Sequence, residues 1–158
     1  MPLVLNSSSI SGLAAVGGLS SPQTGSVLQV VQFTTDDTVS MSSGAAFATL
    51  GWSVSITPKS SSSKILLMGQ CCVYVNGTGG EPHITIYRGG TNIGGSSGFT
   101  DQFNSAGNLV SMHPYIYLDS PATTSSTTYT LYGRLDTTGT AYFGANNCRT
   151  TLLALEVA

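Results

Sequence analysis

Trp52-Ser53-Val54-Ser55-Ile56-Thr57-Pro58 puts a large apolar residue at every second position and small hydroxyl side chains between them. A period of two is the mark of a strand with one face on a core and the other in water. Pro58 closes the run, because it has no backbone donor to give to a ladder.

The same signature recurs on both sides of this stretch. Val27, Gln29, Val31 and Phe33 alternate with Leu28, Val30 and Gln32. Ile65 to Val75 is apolar on both faces, which predicts cover on both sides. Ile84 and Ile86 alternate with His83, Thr85 and Tyr87, and Gly89-Gly90 and Gly94-Gly95 then bracket a hairpin connection. Val110, Met112, Ile116 and Leu118 share one face of the next run and are expected in the core, as are Tyr129, Leu131 and Leu135 after them. Thr140 to Phe143 is a short strand, and Leu153, Leu155 and Val157 form the core face of the last one. Eight or nine strands without a convincing helix predict an all-β fold, a sandwich or barrel. A jelly-roll-like antiparallel β-sandwich over residues 26–158 suits that strand count.

Residues 1–25 read differently, with no charged or aromatic side chain. Ile10, Leu13, Val16 and Leu19 recur at every third position, which fits neither the helical nor the strand period. This segment is expected to be an arm that orders against a partner, with Leu3, Leu5, Ile10, Leu13, Val16 and Leu19 as its pegs. Met1-Pro2-Leu3-Val4-Leu5 lacks the basic start and the long apolar stretch of a secretion signal. No apolar run approaches the roughly 18–20 residues of a membrane span, so no membrane partner is expected.

Charged residues make up 8% of the chain, against about 25% in typical globular domains. A lone soluble monomer usually carries more, so much of the surface is expected to face other subunits. With five Lys+Arg, a net charge of −2 and no basic cluster, nucleic acid is not an expected partner. Chemistry is sparse too. Only His83 and His113 could act as a neutral-pH base, and no serine sits in a G-x-S-x-G elbow. C-x-x-C, H-x-x-x-H and D-x-D-x-D patterns are missing, so no metal or other cofactor is expected. Cys71 and Cys72 point to opposite faces of a strand and read, with Cys148, as small hydrophobes. Arg88 is expected to pair with a carboxylate such as Glu81 or Asp101. The chain reads as a binding protein and not as an enzyme.

The faces assigned away from the core carry Leu109, His113, Tyr115 and Tyr117 on one strand, and Thr128, Thr130, Tyr132 and Arg134 on the next. The last strand carries Leu152, Ala154 and Glu156 on that side. Outward tyrosines with little charge suit a subunit interface, which places Tyr115, Tyr117, Tyr132 and Leu152 between copies. An end at Ala158 in mid-strand is expected near a symmetry axis.

An ordered series of segments carries a resemblance. It runs Gly25-Ser26-Val27-Leu28-Gln29-Val30-Val31-Gln32, Ser55-Ile56-Thr57-Pro58, Ser63-Lys64-Ile65-Leu66-Leu67, Ile86-Tyr87-Arg88-Gly89-Gly90-Thr91-Asn92-Ile93, Tyr117-Leu118-Asp119-Ser120-Pro121 and Thr150-Thr151-Leu152-Leu153-Ala154-Leu155-Glu156. The series resembles small structural proteins of tailed bacteriophages, notably marine and cyanobacterial ones, often labelled tail-fibre-like. The resemblance implies a jelly-roll-like domain, a virion location and a homotrimer. No shaft-forming repeat is present, so a capsid cement or decoration protein is the first expectation. In that role the chain would sit on the outer surface against the major capsid protein or another virion protein. A tail-fibre or receptor-binding head is the second.

Overall fold

A computed structural model describes residues 23–44, 46–105 and 107–158. The six pegs Leu3, Leu5, Ile10, Leu13, Val16 and Leu19 lie outside the described residues, as does the arm through residue 22. Among the described residues there are eleven strands and no helix: β1 (Val27–Thr35), β2 (Val39–Ser42), β3 (Ala48–Ile56), β4 (Lys64–Asn76), β5 (Glu81–Arg88), β6 (Thr91–Asn92), β7 (Thr100–Asp101), β8 (Leu109–Asp119), β9 (Thr127–Asp136), β10 (Thr140–Phe143) and β11 (Thr150–Val157).

The pairings are nested and antiparallel. β1 pairs β11, β3 pairs β9, β4 pairs β8, and β5 pairs β6 and β7 in turn. One sheet therefore runs β1-β11-β4-β8, with β10 and β2 continuing beside the far half of β4. The other runs β3-β9-β5, with β6 and β7 along its last edge. A long antiparallel ribbon wrapped into two sheets is a jelly roll, so the fold is the expected one. The Gly89-Gly90 turn joins Arg88 to Thr91 as a tight hairpin.

The core fills the space between the sheets. Leu50, Trp52, Val54 and Ile56 of β3, Tyr129, Leu131 and Leu135 of β9, and Ile84 and Ile86 of β5 come from one side. Ile65, Leu67, Cys71, Val73 and Val75 of β4, with Phe143, Leu152 and Ala154, come from the other. Each large side chain here contributes about 1.5–3 kcal/mol of burial. Gly133 gives its space to the Phe143 ring, whose atoms lie 2.6–2.9 Å from where a Cβ would be.

Two strands face the opposite way from the expectation. Val110, Met112, Ile116 and Leu118 are 50%, 46%, 66% and 55% exposed, while His113, Tyr115 and Asp119 point inward. On β11, Leu152, Ala154 and Glu156 are buried, and Leu153, Leu155 and Val157 face out. The reason lies across the sheet. Tyr115 is the register partner of Gly69, whose other partner is Leu152. With no side chain at Gly69, the Tyr115 hydroxyl crosses to donate to the Thr151 carbonyl at 2.6 Å. Asp119, turned inward, meets Tyr129 Oη at 2.7 Å and Arg88 Nη1 at 2.8 Å, tying β8 to the opposite sheet. Glu156 closes one end, accepting from Gln29 Nε2 and the Lys59 backbone N–H at 2.6 Å each. Tyr115 and Leu152, expected between copies, are thus core residues of the protomer, 5% and 0% exposed.

A Cβ at residue 69 would strike the Thr151 carbonyl and lie 2.6 Å from the Tyr115 hydroxyl oxygen. Gly69→Ala is therefore expected to cost about 1–3 kcal/mol, the usual range for overpacking. Tyr115→Phe, which loses only the hydrogen bond, should cost about 1 kcal/mol. Thermal and urea melts of the two variants check the difference.

Candidate interaction surface

The register of β1-β11-β4-β8 lines up its outward side chains in rows. Val30, Leu155, Leu66 and Leu118 are successive cross-strand partners. The next row is Gln32, Leu153, Met68 and Ile116, and the third is Thr34, Thr151, Gln70 and Pro114. Beyond the end of β11, Cys72 pairs with Met112 and Tyr74 with Val110. Tyr142 stacks on Tyr74 there, with ring centroids 5.6 Å apart. A groove of about 630 Å³ crosses the middle of the face, lined by Met68, Gln70, Pro114, Ile116, Thr151 and Leu153 together with Gly69, Tyr115 and Phe99. Among the outward positions of these four strands, Lys64 is the one charged residue. It lies at the end of β4, with Nζ on Ser120 Oγ at 2.7 Å.

The opposite outer face has another character. Its outward positions are Ser53 and Ser55 on β3, Thr128, Thr130, Tyr132 and Arg134 on β9, and His83, Thr85 and Tyr87 on β5. The segment after β6 folds over part of it. His83 Nδ1 meets the Ser97 carbonyl at 3.1 Å, Thr85 donates to the Asn92 side chain, and Arg134 donates to the Ser96 carbonyl at 3.2 Å. Tyr132, expected at an interface, stacks half-buried on Tyr87 with centroids 3.9 Å apart. Tyr117 packs against Phe99 at 5.3 Å and is 36% exposed. The four tyrosine and leucine positions therefore do not converge on one surface. One sheet presents hydroxyls under a partial roof. The other presents aliphatic rows that are open among the described residues.

The buried and half-buried ionisable groups are committed to the fold, while Asp37, Lys59, Lys64 and Asp101 are exposed. Arg88 pairs with Asp119, not with Glu81 or Asp101. Glu81, His83 and Asp136 bring their ligating atoms within 4.8 Å of one another. Arg134 already occupies that carboxylate, with Nε at 2.7 Å from Asp136 Oδ1 and Nη2 at 2.9 Å from Oδ2. Its fixed positive charge stands where a cation would have to sit, so the cluster reads as an ion-pair network. Burial pushes the Cys71 and Cys72 thiols up to about 11, keeping both as thiols rather than nucleophilic thiolates.

No protein-family model matches the chain, and no curated protein does. Among solved structures the chain is similar to VP2 of infectious bursal disease virus. The subviral particle matches at 16% identity, covering 82% of this chain and 37% of that one, with a TM-score of 0.47. The Gx strain structure matches at 15% identity, covering 82% of this chain and 32% of the other, with a TM-score of 0.48. The chain thus spans well under half the length of the structures it matches, and its fold assignment rests on the strand pairing above.

The sequence reading missed this surface because it placed the aliphatic stripe of β8 in the core. One signal was available. A β4 segment apolar on both faces needs cover on both sides, and the sandwich supplies only one.

His113 generates a prediction. Burial first, and the nearby His83 second, lower its pKa to about 4. It stays neutral in the fold, held by Thr100 Oγ1 at 3.0 Å and Ser111 Oγ at 2.8 Å. The unfolded chain takes up this proton near pH 6.5, so stability should fall from about pH 6.5 down to about 4, by about 3 kcal/mol for this group. Glu156 adds to the loss at lower pH. Burial alone would raise its pKa, but hydrogen bonds from the Gln29 side chain and the Lys59 backbone outweigh that and lower it. Its stabilisation is present above the ordinary carboxylate range and vanishes on acidification. His113→Gln should flatten the profile between pH 6.5 and 4.5 while leaving the steeper acid limb, as urea melts across that range would read.

Proposed function

We propose that this chain is a structural protein of a tailed-phage virion, a cement or decoration protein on the outer surface of the capsid. Its N-terminal arm docks on the major capsid protein or another virion protein, and the sandwich holds three copies together. The observation that carries this reading is the wide aliphatic face, with Lys64 its one charged residue, on a sandwich that has no helix among the described residues and whose buried ionisable groups are paired within the fold. Such a molecule offers surfaces and not reactions, so it acts as a binder and not as an enzyme. The resemblance of its sequence to small phage structural proteins supports the virion address. Low charge supports a life spent largely in contact with other subunits. Three weak arm contacts held on one trimer reinforce one another through high effective concentration.

A tail-fibre or receptor-binding head is the second reading, favoured by the loops at one end of the sandwich. Gly79 N–H donates to the Asn104 carbonyl, Asn104 N–H donates to Gly80, and Thr138 donates to Thr78. These bonds gather three loops beside Phe103, which is 59% exposed.

The test replaces Ile10, Leu13, Val16 and Leu19 with serine in the full chain. Under the cement reading, binding to purified capsids falls at least tenfold while the mass of the isolated protein is unchanged. Particles stripped of the protein also lose heat resistance. Unaltered capsid binding and heat resistance, together with adhesion of the isolated protein to host cells, would favour the receptor-binding head instead.

A further inference from the structure

We propose that the outward face of β1-β11-β4-β8 is the surface through which copies of this chain pack on one another, face to face. The inference rests on the self-association in the reading above, and not on the capsid address.

Size is the first argument. Val30, Met68, Val110, Met112, Ile116 and Leu118 are each 36–66% exposed. Together they leave on the order of 600 Å² open to water, at the top of the range for single patches on monomers. Half-buried Leu66, Leu153 and Leu155 lie between them. A standard interface takes about 800 Å² from each partner, so this one face supplies most of what a stable contact needs.

Charge is the second. Across a symmetry axis identical residues meet one another or near neighbours. A charged face would set like charges together there. This face keeps its one charged residue, Lys64, at its end, and aliphatic rows meet aliphatic rows at no electrostatic cost. Two such faces close across a twofold axis, whereas around a threefold axis each face would be shared between two neighbours.

The third argument concerns the edge. β8 is the outermost strand of this sheet, and a free edge could extend the sheet into a neighbour. Pro114 sits midway along β8 and denies that edge a backbone donor. This weighs against sheet extension along β8. A competing occupant of suitable chemistry is the chain's own residues 1–22. Their aliphatics Ile10, Leu13, Val16 and Leu19 recur at threes, so added as a β-strand they would turn to alternate sides and lay only half of them on the face.

The experiment measures the mass of the full chain by light scattering and sedimentation at matched concentrations, for the wild type, Ile116→Lys and Phe103→Lys. Both substituted side chains are exposed in the protomer, so neither change touches the core; circular dichroism melts confirm folding, and Leu118→Gln replaces Ile116→Lys if that variant fails to fold. The expected result is an oligomeric wild type and Phe103→Lys control, with association of Ile116→Lys weakened at least tenfold. An Ile116→Lys protein of wild-type mass and affinity overturns the inference and leaves self-association standing. A monomeric wild type overturns both. An oligomer that dissociates on Ile116→Lys but ignores capsids supports the inference and sinks only the virion address.

Discussion

Leu152, Gly69 and Tyr115 stand side by side across three strands, and that row fixes which way each strand faces. Side chains alternate along a strand, and the ladder holds each residue against one partner. Once the Tyr115 ring takes the space that Gly69 leaves, every other parity on β8, β4 and β11 follows. Asp119 must turn inward, where it meets Arg88 and Tyr129 of the opposite sheet. Glu156 must turn inward, where Gln29 and the Lys59 amide receive it. The residues in between must turn out, and they are Leu66, Met68, Ile116, Leu118, Leu153 and Leu155. The open aliphatic rows are the other side of the same constraint.

The two sheets divide their roles accordingly. The β3-β9-β5 sheet wears Ser, Thr and stacked tyrosines outside and is partly roofed by the segment after β6. The β1-β11-β4-β8 sheet wears leucine, isoleucine, valine and methionine. Asp119, Arg88, Glu156, Asp136 and Arg134 are held by partners within the protomer, and the exposed charges lie off the aliphatic rows. Among the described residues, Asp36 and Arg149 form an exposed pair, with Nη2 to Oδ2 at 2.9 Å. A protein arranged in this way recognises partners by shape and apolar area.

Much of the fold was legible because alternation is a local signal. Trp52, Val54 and Ile56 announce β3 without reference to anything else, and Tyr129, Leu131 and Leu135 do the same for β9. β6 and β7 are two residues long and leave no periodic trace, and β2 is barely longer. The candidate surface was harder to read, because on β8 both faces are apolar. Hydropathy then sends Val110, Met112, Ile116 and Leu118 inward ahead of His113 and two tyrosines. What reverses that choice is non-local: a glycine on β4, an arginine on β5 and a tyrosine on β9. Arg88 shows the same limit, since its partner Asp119 is distant in sequence while Glu81 and Asp101 look nearer. The double-sided run on β4 was the one local hint that a second apolar face needed cover.

Two of the six open side chains on that face, Met68 and Met112, are thioethers. Peroxide converts a thioether to a sulfoxide, which is polar and reversible only by a reductase. At 36% and 46% exposure both side chains belong to the accessible part of the molecule, while the thiols of Cys71 and Cys72 are fully buried. Oxidative ageing of a stored preparation would therefore mark the contact face before it marks the fold.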